Sequence, residues 1–137
     1  MDIFCTDTFY AEFHKIYKKN SYKDIESEII KHFFDKSAEE LCNGTLLNNK
    51  SEVNPYIKKR LKGSGGYRVY FYIYIVEGRT YLLFLHPKTG SMGSSNIDDA
   101  FKVKIIKTLS GAIKNNQIYK MSKDSIGKRI IFTRPIF

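Results

Sequence analysis

The chain has 137 residues, enough for one domain with its own core, and its 42% hydrophobic and 15% aromatic content argues against wholesale disorder. No apolar run approaches the roughly 18–20 residues of a membrane span, and Cys5 and Cys42, far apart and outside any CxxC pattern, support neither a disulfide framework nor a zinc site. The net charge of +9 is unevenly spread: residues 1–57 carry seven lysines against ten carboxylates, net −3, whereas residues 58–137 carry sixteen lysines and arginines against four carboxylates, net +12.

A basic field of that kind has a polyanion or an acidic partner as its natural complement; the plainer alternative is a set of lysines that merely face water. The N-terminus, MDIFCTDTFY, carries acids and lacks the basic-then-apolar layout of a signal peptide. The expectation is a single domain in a reducing, cytoplasmic setting, with no membrane partner and no metal or cofactor.

In chain order, Ile3 to Thr8 reads as a first strand, followed by a helix from about Phe9 to Lys19 capped by Asp7 or Thr8. Ser21 with Asp24 resembles a capping box opening a second helix to about Lys36, with Tyr22, Ile25, Ile29 and Phe33 on its apolar face. Ser37 with Glu40 is a further capping box, and Asn43-Gly44 a left-handed stop. Residues 45–55 read as a polar loop. Then comes Lys58–Gly90, the most unusual stretch: a basic run, a glycine-rich turn, and two dense β-type segments, Tyr67–Val76 and Thr80–His86, joined around Glu77-Gly78-Arg79. Pro87 ends the second, since it has no N–H to give a ladder. After a loop over 88–95, Asn96 caps a helix to about Lys114, with Ile97, Phe101, Ile105, Leu109, Ala112 and Ile113 on one side. Gln117–Met121 and Ile130–Phe137 are candidate strands.

Gly65-Gly66-Tyr67-Arg68-Val69 leading into a strand, the Glu77-Gly78-Arg79 turn, Leu85-His86-Pro87-Lys88 at the second strand's end, and a following helix begun by Ile97-Asp98-Asp99 resemble the RelE/ParE toxin superfamily, most closely its HigB-like branch. The resemblance covers about residues 55–115; the segment after Lys120 has no counterpart in it. It implies an α+β fold, a central antiparallel β-sheet with helices packed on one face. It also implies the toxin of a type II toxin–antitoxin system: a ribosome-dependent mRNA endonuclease that inhibits translation, or, in the ParE branch, a gyrase inhibitor without nuclease chemistry. The implied partners are mRNA, the ribosome and a cognate antitoxin, usually of helix-turn-helix type.

The residues such chemistry needs are present. Metal-free RNA cleavage needs a proton carrier and cations that stabilise the extra phosphoryl charge. His86, Arg68 and Lys88 are the catalytic candidates, with Arg60, Lys62 and Lys59 for phosphate and Tyr70 and Tyr72 for stacking on bases. Whether they converge depends on hairpin register. A three-residue loop, Glu77–Arg79, sets Arg68 opposite Lys88 and Tyr70 opposite His86, whereas a two-residue turn moves His86 to the apolar side. The three-residue register separates polar from apolar residues better and is the expected one. The plain readings stand beside these: a lone strand-end histidine is often structural, and the tyrosines suit a sheet by β propensity alone. Gly63-Ser64-Gly65-Gly66 lacks the Gly-Lys-Ser/Thr ending of a phosphate-binding loop.

Overall fold

The structure, a computed structural model, describes residues 1–19, 24–47, 54–62, 66–87 and 98–135. The expected cap at Ser21, the apolar Tyr22, the 88–95 loop, Asn96, Ile97 and the last two residues of the final strand lie outside these ranges, as do Gly65 and Lys88.

β1 (Asp2–Thr6) alternates as a strand buried on both faces must, with Ile3 and Cys5 to one side and Phe4 to the other. It ends where the Thr6 hydroxyl accepts from the Phe9 N–H at 3.3 Å, so Thr6 caps α1 (Asp7–Tyr17), which therefore starts two residues before the expected position. α2 (Ile25–Phe33) buries Ile25, Ile29 and Phe33 as their spacing predicts, but stops short of Lys36 because Phe34 is extended and Asp35 takes a positive φ of 59°. The capping box at α3 (Ala38–Leu41) is as expected: Ser37 and Glu40 each accept the other's backbone N–H, at 3.2 and 3.1 Å. Neither Asn43 nor Gly44 adopts a left-handed conformation. Gly44 is needed for proximity instead, since a Cβ there would sit 2.7 Å from the Ile57 side chain.

Two strands were not expected. Thr45–Leu46, read as loop, is β2, and the basic run is β3 (Tyr56–Leu61). β4 (Tyr67–Tyr74) and β5 (Arg79–Pro87) form the hairpin; α4 (Asp99–Lys114), capped by Asp98 accepting from Phe101 N–H at 2.8 Å, leads to β6 (Ile118–Lys123) and β7 (Ile130–Thr133).

The strands form one sheet in the order β2-β3-β4-β5-β1-β6-β7, antiparallel throughout except for the β1–β5 pair. The fold is α+β around a central, mostly antiparallel sheet. One face buries Cys5, Ile57, Val69, Phe71 and Leu82 beneath α1, α2 and α3. Over the other face, where Phe4, Tyr56, Tyr70, Tyr81 and Leu83 lie, passes α4 with Ile105, Leu109 and Ala112. Among the described residues no helix is long and apolar enough to cross a membrane.

The C-terminal segment extends the sheet beyond β1 and is tied back by polar contacts. Arg134 donates to Asp7 at 2.8 Å and to the Asn116 and Ile118 carbonyls at 3.1 Å, with its guanidinium 4.0 Å over the Tyr119 ring. Glu26, buried on α2, accepts the Ile130 N–H at 2.9 Å and pairs with Arg129 at 3.0 Å. Glu26→Ala should cost about 1–3 kcal/mol in urea denaturation, the penalty of leaving a buried N–H without its acceptor.

Candidate nucleic-acid interface

The hairpin register is neither of the two weighed from sequence. The turn occupies Ile75–Gly78, with Gly78 at a φ of +68°, so Tyr74 pairs with Arg79 and Phe71 with Leu82. Continued without interruption, this ladder would set Tyr67 opposite His86 and turn the imidazole toward α1 and α2. A bulge prevents that. The ladder shifts between Phe71 and Tyr70, so that Tyr70 pairs with Phe84, and Leu83 becomes the extra residue. Leu83 and Phe84 consequently both belong to the α4 face, and Leu85 returns to the α1–α2 core. The Leu83 carbonyl accepts the Thr6 hydroxyl at 3.1 Å, which fixes the bulge to β1.

Past the bulge, Arg68 is directly opposite His86, and on its other side directly opposite Arg60. Three adjacent strands thus carry Arg60, Arg68 and His86 in one cross-strand row on one face. The next row is Lys58, Tyr70 and Phe84. Like charges facing one another across a ladder are destabilising, and an anion beside the exposed Arg60 would offset the Arg60–Arg68 repulsion.

His86 has a defined tautomer. Its Nδ1 lies 3.0 Å from the Pro87 carbonyl, which can only accept, so Nδ1 carries the hydrogen. In the neutral ring the lone pair is therefore on Nε2, which is buried and has no hydrogen-bond partner among the described residues. Burial pushes the imidazole below its ordinary value; the Pro87 hydrogen bond opposes this, and the charges of Arg68 and Lys58 add to it. His86 is 6% exposed and Arg68 4%, whereas Arg60 is open to solvent.

The other expected site residues divide. Lys62, just after β3, is exposed beyond the end of the row. Lys59 alternates with its neighbours and points to the opposite face, toward α2 and α3, so it does not join Arg60. Tyr70 is 1% exposed and stacks on His86, with ring centroids 6.1 Å apart and planes at 15°. Both its position and its burial make it a support for the imidazole rather than a platform for a base. Tyr72 is half-buried between Tyr56 and Tyr74, away from the row. Lys88 lies outside the described residues.

Three further residues border the row. Lys58 precedes Arg60 by two positions, the spacing that places both on one face of a strand; reading the basic run as β3 would have found it. Phe84 contacts the His86 ring at 5.8 Å and meets Phe101 of α4 edge-on at 5.1 Å. Phe101 is 36% exposed, an accessible aromatic against Phe84 of the neighbouring row. Its arrival there depends on α4 crossing this face, which no local pattern announces. Among the described residues, no group of three or more His, Cys, Asp or Glu side chains is placed to hold a metal ion.

No family model matches the chain, and no curated protein or solved structure is significantly similar to it.

Proposed function

We propose that this chain is the toxin of a type II toxin–antitoxin pair, a RelE/HigB-like endoribonuclease that cuts mRNA on the ribosome and so inhibits translation. The observation that carries this reading is the Arg60–Arg68–His86 row, with the histidine's lone pair held on Nε2. The element order of strand, helices, basic strand and hairpin also accords with the sequence resemblance.

In the proposed reaction His86 Nε2 takes the proton of a ribose 2′-hydroxyl. The freed oxygen attacks the adjacent phosphorus, and the bond from phosphorus to the 5′ oxygen breaks. The products are a 2′,3′-cyclic phosphate and a 5′-hydroxyl, whose proton comes from Lys58; both residues then re-exchange protons with solvent. Arg68 and Arg60 hold the phosphate and offset the charge that builds on its oxygens. Phe101, with Phe84 behind it, offers a face for a neighbouring base. The partners in this reading are mRNA, the ribosome and a cognate antitoxin of helix-turn-helix type, in the cytoplasm.

The burial of His86 and Arg68 favours a second reading, in which the row is a fixed electrostatic feature of a non-catalytic inhibitory module such as a ParE-like gyrase inhibitor. Purified protein added to a translation reaction separates the two. Cleaved message supports the nuclease. Arrested growth with intact message and a DNA-damage response supports the module, and expression without toxicity points to an inactive family member.

A further inference from the structure

On the face opposite the row, α2, α3 and β3 enclose a pocket of about 260 Å³ lined by Lys31, His32, Lys36, Glu40, Asn43 and Lys59. Its three lysines come from three different places: Lys31 from α2, Lys36 from the turn after it, and Lys59 from the middle of β3. Two carboxylates lie beside them. Glu40, itself part of the lining, accepts the Ser37 N–H at 3.1 Å within its capping box and pairs with Lys36 at 3.9 Å, and Glu28 pairs with His32 at 3.1 Å, so the lining sets three ammonium groups against one carboxylate. The lysines also act on one another and on the histidine. Burial and the charge of Lys36 hold Lys59 below its ordinary value against the opposing charge of Glu40, and burial with the charges of Lys59 and Lys31 does the same to His32 against the opposing Glu28.

A sheet that merely needed solubility would spread such lysines over the surface, where water and salt screen them. Here a strand residue points inward from β3 to meet two helix-side lysines in a concavity. We propose that this pocket is a second anion site, which takes a phosphate group. A tetrahedral phosphate offers oxygens in several directions, matching ammonium groups that approach from three sides; a carboxylate offers two oxygens in one plane. Asn43 adds an uncharged donor at the rim. The pocket shares no residue with the Arg60–Arg68–His86 row, so it stands or falls separately from the nuclease reading.

The experiment is a titration of the full chain with inorganic phosphate, followed by amide and imidazole NMR signals. Saturable shifts are expected in Lys31–Asn43 and Lys59, with the His32 titration moving to higher pH when phosphate is bound. Lys36→Gln and Lys59→Gln should each weaken this binding at least about tenfold, as the loss of one charge-assisted contact predicts, while His86→Ala leaves it unchanged. A short single-stranded RNA that produces the same shifts assigns the phosphate to a polynucleotide backbone; RNA that leaves the pocket silent while free phosphate binds assigns it to a small phosphorylated ligand. Absence of saturation by phosphate, or tighter binding of a poly-glutamate peptide than of either phosphate source, overturns the proposal. So does retention of binding in the folded Lys36→Gln and Lys59→Gln proteins.

Discussion

If the chain cuts message as proposed, replacing His86 by alanine is expected to slow that cleavage about 10²- to 10⁴-fold, the usual worth of a positioned general base. Arg68→Ala, which removes a charge from where the phosphoryl oxygens would sit, should cost about 10²- to 10³-fold. Both side chains are buried, so each variant is compared with wild type by circular dichroism to confirm that it is folded. Val76→Ala, at the 80% exposed tip of the hairpin, is the neutral control. The pH dependence follows from the base being neutral. Cleavage should be flat near neutrality and fall only below the ordinary histidine value of 6.5, because burial holds the His86 imidazole beneath it. Folding stability has the same sign. Between 6.5 and the lowered value the unfolded chain takes up a proton that folded His86 refuses, so stability declines as the pH drops through that window and is constant above it. His32, lowered as well, adds to the decline, and only His86→Ala should remove the His86 share. Unchanged cleavage in His86→Ala, folded as wild type, would falsify the catalytic assignment.

What the sequence made legible was whatever depends on neighbours along the chain. The Ser37–Glu40 box and the apolar stripes of α1, α2 and α4 follow from spacing of three or four residues and the β character of YRVYFYIY from its composition, and among the described residues all are present except that Phe101 is exposed. β3 was hidden because its residues 58–60 are all cations, which suppress any reading by β propensity. Its strand character comes from pairing with β4 on one side and β2 on the other. The register was hidden for a different reason. It results from a turn and a bulge together, and each alone would give a different answer. An even offset between Arg68 and His86 was anticipated, and both residues do share a face, but the pairing is direct rather than shifted by two. The sheet role of Tyr70 and Tyr72 follows from β propensity, whereas the burial of Tyr70 beneath α4 does not, since it is set by a helix some thirty residues downstream in sequence.

Thr6→Val tests whether that bulge is what keeps His86 on the cationic face. Valine nearly copies the shape of threonine but cannot hydrogen-bond, and at Thr6 the hydroxyl is used twice. It accepts from the Phe9 N–H as the cap of α1, and it donates to the Leu83 carbonyl at the bulge. Losing the cap should cost about 1 kcal/mol, and leaving the buried Leu83 carbonyl without its donor about 1–3 kcal/mol more. A total of about 2–4 kcal/mol is a large share of the ordinary 5–15 kcal/mol of domain stability, and would appear as a lower urea midpoint with an unchanged slope. Thr6→Ser keeps both hydrogen bonds and removes one methyl, at about 0.8 kcal/mol. The functional consequence separates the bulge from general stability. Below the midpoint, where both variants are folded, Thr6→Val should cleave more slowly than Thr6→Ser, because a slackened bulge lets Phe84 to His86 sample the uninterrupted ladder, in which the imidazole faces the α1–α2 core. Equal cleavage by the two folded variants would mean that the Tyr70–His86 stack and the Arg68 pairing hold the histidine without help from β1. The α1 cap, the β1–β5 junction and the candidate base would then be neighbours only, joined by a threonine that serves the fold alone.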